Sequence, residues 1–224
     1  MTTEAEKELF LAIRANDAGA VRELVGRDRA LLTALSPMGV SPVLFAAYYR
    51  HPEMARVLVQ EGAALDIFEA AAIGETERVR EMLDADSALL NAVSPDGFSP
   101  LGLSAFFGQE TVTALLLSLG ADANAVSQNA MRVQPLHSAV TGNHASLTLK
   151  LLEAGADVNA VQNGGFTPLM GAAQNGNAEL VRLLLSHGAG TGAVNEEGLS
   201  AADLAQEEGH GEVLILLAGP PARS

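Results

Sequence analysis

The sequence predicts an all-helical stack of short repeated units, and three observations carry that prediction. Ala (39) and Leu (33) supply most of the apolar 48%, while Val (17) and Ile (4) are few, aromatics make up 4% and Trp is absent. Strands favour β-branched and aromatic side chains, so a chain built on Ala and Leu is mainly helical. Glycine occurs 22 times, which would spoil one long coiled coil but suits short helices joined by tight turns. Above all, the chain repeats itself. FTPLMGAAQNG at 166–176 runs into NAELVRLLLSHGA, and VQPLHSAVTGNH at 133–144 runs into ASLTLKLLEAGADVNA. The equivalent positions Glu8, Pro42, Asp66, Pro100, Pro135, Pro168 and Ala201 are spaced by 34, 24, 34, 35, 33 and 33 residues. Five intervals near 33 exclude chance spacing, and such a period marks stacked units that share one continuous core.

The residues at those positions are specific. Ser41-Pro42-Val43, Ser99-Pro100-Leu101, Gln134-Pro135-Leu136-His137 and Thr167-Pro168-Leu169 stand at the start of units, and Gly120-Ala121-Asp122-Ala123-Asn124-Ala125 and Gly155-Ala156-Asp157-Val158-Asn159-Ala160 stand at the end. In these residues the chain resembles the ankyrin repeat, a turn followed by two antiparallel helices. The resemblance spans residues 5–218 and implies an all-α ankyrin-repeat solenoid of helix-turn-helix units with short hairpin fingers, seven units in all, the two end units degenerate. Residues 1–4 and 219–224 are then expected to be flexible ends.

Taken in order, each unit has its own reason. The first is placed by Glu8 and by the apolar Phe10, Ala12 and Val21. In the second, Ser41 caps a helix whose first residue is Pro42, a position needing no backbone N–H. Ala46-Ala47 lets the neighbouring helix approach closely, and Gly62 ends the unit in the left-handed conformation other residues resist. The third follows after only 24 residues. Gly62-Ala63-Ala64-Leu65 leads straight into Asp66-Ile67-Phe68-Glu69, leaving no room for a finger. Residues 8–65 align without gaps to 66–123, and Ala-Leu-Leu-x-Ala-x-Ser-Pro-x-Gly-x-Ser-Pro recurs from Ala30 to Pro42 and from Ala88 to Pro100. The first half thus reads as a duplicated two-unit block. The fourth unit opens at Ser99-Pro100 and ends at Gly120. Before the fifth, Gln128-Asn129-Ala130-Met131-Arg132-Val133 replaces the usual Asp-x-x-Gly tip, leaving that finger's shape open. The sixth has Ala172-Ala173, the stripe Leu180, Val181, Leu184 and Leu185, and Gly188. The seventh is acidic, as a terminal unit with a solvated outer face should be.

Charge and motifs exclude several functions. A net charge of −14, from 27 acids against 13 bases, disfavours electrostatic capture of nucleic-acid phosphates. There is no cysteine, so disulfides, thiolate metal sites and a cysteine nucleophile are excluded. The stretch from Met1 to Phe10 lacks an apolar core of signal-peptide length and nowhere do about 18 apolar residues run together, so a cytoplasmic protein away from membranes is expected. No phosphate-binding Gly-Lys loop, zinc-binding His-Glu-x-x-His or nucleophile elbow occurs. His137 occupies the fourth letter of the T-P-L-H turn, where the resemblance implies hydrogen bonds tying adjacent loops. His51, His144 and His210 each fall nine residues after the repeat origin, and His187 precedes a helix-ending Gly. No catalytic residue, metal or cofactor is expected.

Function in such a stack rests on positions that folding leaves free. The resemblance places these on the concave face, at the residues before the inter-helix turn and at the finger tips. Met38, Val40, Tyr48, Tyr49, Ile73, Phe98, Phe106, Phe107, Met131, Val133 and Phe166 are the candidates for binding a protein or peptide partner. Six of the nine aromatics fall in this set. Exposed aromatics anchor interfaces, and the doublets Tyr48-Tyr49 and Phe106-Phe107 flank the fingerless unit, as walls of a notch floored by Ala72 and Ile73. The opposing expectation is that the doublets plug the gap and that Phe98 and Phe166 lie flat on their own hairpins. The functional expectation is a non-catalytic protein-binding module, a monomeric scaffold or adaptor. The alternative is an acidic decoy occupying a basic cleft, through clusters such as Glu196, Glu197, Asp203, Glu207, Glu208 and Glu212.

Overall fold

The computed structural model describes residues 3–219; Met1, Thr2 and 220–224, most of the two expected flexible ends, lie outside the described residues. Glu4, expected to precede the first unit, instead begins its first helix. The Thr3 hydroxyl accepts from the Glu6 N–H at 3.2 Å, and the Glu6 carboxylate accepts from the Thr3 N–H at 2.6 Å. This reciprocal cap starts the helix ahead of the repeat phase.

Among the described residues there are fourteen α-helices and no strand. They pair as α1 (Glu4–Arg14) with α2 (Ala18–Arg27), α3 (Pro42–Tyr48) with α4 (Pro52–Gln60), α5 (Ile67–Ile73) with α6 (Thr76–Ala85), and α7 (Pro100–Phe106) with α8 (Glu110–Ser118). The remaining pairs are α9 (Pro135–Thr141) with α10 (Ala145–Glu153), α11 (Pro168–Gln174) with α12 (Ala178–Ser186), and α13 (Ala201–Glu207) with α14 (Gly211–Leu217). Seven units result, as the period predicts. The residue that turns the chain between the two helices has a positive φ in every one: Asn16, Arg50, Gly74, Gly108, Asn143, Gly176 and Gly209. Each stands eight residues after its sequence origin, so the turns reproduce the intervals of 34, 24, 34, 35, 33 and 33.

The hydroxyls expected to cap helices do so. Ser41 accepts from the Leu44 N–H at 3.1 Å, Ser99 from the Gly102 N–H at 3.1 Å and Thr167 from the Met170 N–H at 3.3 Å. The third unit differs by one residue. Asp66, aligned by spacing with Pro42, is itself the cap, accepting from the Phe68 and Glu69 N–H groups at 2.8 and 2.9 Å. A carboxylate can accept those bonds and a proline cannot, so α5 begins one residue later than its phase.

The first helices pack in sequence from α1 through α13, and the second helices do likewise except at one place. Contact nearly vanishes between α4 and α6, on either side of the 24-residue interval. The buried side chains divide accordingly. One apolar cluster gathers the first two units with Ala72 and Leu103, a second spans the third to fifth, and a third spans the fifth to seventh. The absence of a finger before α5 is as expected: Ala63 to Leu65 link α4 directly to Asp66.

Candidate functional site

Five fingers project from the stack, and each is closed by its own opening residue. Ser36, Ser94, Gln162 and Asn195 donate their N–H to the carbonyls of Val40, Phe98, Phe166 and Leu199, at 2.9, 2.9, 3.0 and 2.9 Å. In the finger with the insertion, Ser127 reaches two residues further, to Val133, at 2.8 Å. That loop is therefore a longer hairpin of the same kind. Consecutive fingers are stapled through the main chain: the N–H groups of Gln128, Asn163 and Glu196 donate to Gly97, Met131 and Gly164 at 2.7, 2.9 and 2.9 Å. A side chain adds to the register, for Asn129 Nδ2 donates to the Asp96 carbonyl at 3.0 Å.

A cleft of about 660 Å³ opens between these fingers and the first helices α3, α7 and α9. Met38 and Met131 stand at its mouth, 56% and 54% exposed. Tyr48, Phe98, Leu103, Phe106 and Val133 form its apolar walls, with Asn129, Ser138, Thr141 and Gln162 supplying uncharged polar groups. Asp96 is the single ionisable carboxylate of the lining, and it is engaged: one oxygen accepts from the Tyr48 hydroxyl at 2.7 Å and the other from the Ser94 hydroxyl. Burial, reinforced by the Asp96 carboxylate, pushes the Tyr48 phenol far above its ordinary value. The phenol thus keeps its proton, which it donates to Asp96.

The doublets do not behave as pairs. Tyr48, Phe106 and Phe107 meet across the small residues of α5, with ring centroids 6.3 Å apart for Tyr48 and Phe106, 5.2 Å for Tyr48 and Phe107, and 5.0 Å for Phe106 and Phe107. Phe106 separates the cleft from a second cavity of about 290 Å³ on the inter-helix-turn side, where Ala72, Ile73 and Phe107 line the wall. Ile73 and Phe107 therefore face that cavity and the first core cluster, not the cleft. Tyr49 turns away altogether. Its ring lies 4.6 Å from that of Phe45, which meets Phe10 edge-on at 5.0 Å, so it covers the first two units. Val40 is 4% exposed and serves as floor. Phe166 packs on the third core cluster, clear of the cleft. The apolar stack beneath each finger claims these side chains, which the spacing alone assigns to the surface. Conversely, Leu103, Asn129, Ala130, Ser138 and Gln162 line the cleft without having been singled out; two of them sit in the insertion, whose shape spacing does not define.

Four of the five histidines hold neighbouring units together. His137 Nδ1 accepts from the Gln134 N–H at 3.4 Å, which leaves Nε2–H to donate to the Phe166 carbonyl of the next finger at 3.3 Å. Burial lowers its pKa, consistent with a neutral ring. His51, His144 and His210 reach back to the carbonyls of Arg14, Phe106 and Gln174 at 3.2, 3.1 and 3.0 Å, and Gln109 takes the same role toward Ala72 at 2.9 Å. Among the described residues no cluster of His, Asp and Glu fits a metal ion, and no helix is long and apolar enough to cross a membrane.

Comparison with models of known families agrees with this architecture. A model described as ankyrin repeats (3 copies) matches residues 67–162 and, in a second overlapping match, residues 136–223. Proteins built from such repeats generally serve as protein–protein interaction modules, and the family is typically non-catalytic. With more than half its length matched and every unit turning at the phase its repeats predict, the chain belongs to the ankyrin repeat family.

Proposed function

We propose that this protein is a non-catalytic binding module that takes an uncharged, largely apolar segment of a protein partner in the cleft between its fingers and first helices. The observation that carries this reading is the lining. Two exposed methionines stand over Tyr48, Phe98 and Phe106, and the one carboxylate among them is already engaged. Methionine adapts to the shape of what it meets, and rigid aromatics provide contact area at little entropic cost.

The test is affinity capture from native lysate with the wild type, the double variant Met38→Ser/Met131→Ser, and Tyr49→Ser. A partner held by the cleft is recovered by the wild type and by Tyr49→Ser, and is lost by the methionine variant at an unchanged melting temperature. Equal recovery by all three defeats the cleft. Affinity that falls steeply with salt would instead favour the acidic decoy, which acts through screened charge.

A further inference from the structure

The two fingers that flank the fingerless unit differ chemically from the rest. In the fingers that follow another finger, the residue after the opening position donates its N–H to the preceding hairpin: Gln128 to Gly97, Asn163 to Met131, and Glu196 to Gly164. In the other two that residue is Pro37 or Pro95. Proline has no N–H, so neither finger carries a donor that would point at a missing neighbour. The acceptor side has no such remedy. The carbonyls of Gly97, Met131 and Gly164 are each taken by the next finger, whereas those of Met38 and Gly39 accept no hydrogen bond from any described residue, for no finger follows them in the next unit. Adjacent packed helices lie about 8–10 Å apart, so fingers two units apart are rooted about 16–20 Å from each other, room for one intervening main chain. The cleft already joins Met38 and Val40 on one side to Asp96 and Phe98 on the other.

We infer that this slot is filled by the main chain of the partner itself, a hairpin or extended segment that donates an N–H to the Met38–Gly39 carbonyls and lays uncharged side chains on Phe98 and Phe106. The inference rests on the cleft reading and adds to it the mode of recognition: the partner supplies the finger this chain lacks, through backbone hydrogen bonds backed by apolar pockets. Charge agrees. The slot's one ionisable side chain, Asp96, is hydrogen-bonded by the neutral hydroxyls of Tyr48 and Ser94 and has no cation beside it, so an anionic occupant would be desolvated against a like charge, and the rest of the lining favours uncharged side chains.

The experiment selects peptides from a random display library on the full chain and measures the affinity of the tightest peptide recovered. Three comparisons follow: a chain with a hairpin inserted between Leu65 and Asp66, restoring the ten residues by which 24 falls short of 34; a scan of the peptide by single backbone N-methylation; and Phe106→Ser. The inserted hairpin occupies the slot, and expected affinity falls at least about tenfold, as it does on methylating one particular peptide nitrogen, the loss of about one buried hydrogen bond. Thermal melting of the insertion variant checks its fold, and the methylation scan needs no variant protein. No enriched peptide, or one whose affinity is unchanged by both insertion and methylation, overturns the inference. Loss with Phe106→Ser but with neither of the other two keeps the cleft and removes the slot; indifference to all three removes both.

Discussion

Glu69 is 7% exposed at the fingerless junction, and its Oε2 accepts from the Asp66 N–H at 2.7 Å. Burial pushes its carboxyl above the usual value of 4.5, while the Ser41 hydroxyl and the Asp66 N–H act in the opposite direction. A raised native pKa means that the folded chain keeps a proton the unfolded chain has lost. Stability from this group is therefore fully present below about 4.5 and is lost as pH rises toward the native value. His137 works oppositely: its pKa is depressed by burial, so its contribution is present above the usual 6.5 and is lost as pH falls. Glu69→Gln keeps an acceptor for the Asp66 N–H and removes the buried charge, while His137 is common to both proteins. Urea unfolding at several pH values should show the variant gaining on the wild type as pH rises from about 4.5 to 7, and at least as stable at pH 7. A variant that loses stability at neutral pH would show that the ionised carboxylate is a net support. Glu69 stands three residues after its helix cap, the place that Leu44, His137 and Met170 fill in other units and where all are buried; the one-residue shift of the cap to Asp66 hides that correspondence from spacing, whereas His137 is legible, since its bond to the next finger follows from the turn it belongs to.

Elements repeat more faithfully than residues. The positions of all seven inter-helix turns follow from spacing, because the left-handed residue fixes where the chain reverses whatever the side chains do around it. The cost of altering a left-handed glycine, at such a turn or at the end of a unit, depends on what stacks above it. Gly176 has φ +68°, and a Cβ there would lie 2.5 Å from the His210 ring of the following unit; Gly188, φ +90°, opens on empty space. Gly176→Ala is expected to destabilise by more than Gly188→Ala, which loses only the conformational part of about 1 kcal/mol. Equal midpoints of denaturation for the two would mean that His210 moves aside freely. The fingers were harder to read. Ser-Pro in both 36–37 and 94–95 states plainly that no donor is needed there, but the meaning of that proline is visible only once the staples between the other fingers are seen. The side-chain choices within the doublets lay further out of reach, because whether Tyr49 or Tyr48 faces the cleft is decided by a one-residue rotation about α3 and by the space beside Phe45.

In the whole molecule, stability of a repeat stack is the sum of units and of interfaces between neighbours. The seam after the second unit is crossed by α3 on α5 and by Tyr48, which reaches past α5 to Asp96, Phe106 and Phe107, with almost nothing between α4 and α6. The apolar clusters part near the same level, although Ala72 and Leu103 of the following units reach into the first. Native-state hydrogen exchange should then show α1 to α4 opening together, at a lower free energy than the amides of α7 to α12. A single uniform opening free energy across both groups would show the seam to be as strong as any other interface. That partition is not written in composition or period; it arises because one shortened interval removes a finger and loosens the outer helices at once.

The prolines also bear on how such a chain lengthens. Residues 8–65 and 66–123 align without gaps as two blocks of one pattern, and Pro37 and Pro95 stand at the same place in each. Each block brings a finger that needs no neighbour before it; the junction at Leu65–Asp66 offers the first block none after it, whereas Gln128 staples the next finger to Gly97 of the second. Duplication in tandem therefore creates a new slot without creating an orphaned donor. The gap beside α5 thus belongs to the junction between two such blocks, and a third block joined between Leu65 and Asp66 would add a second gap of the same chemistry to the array.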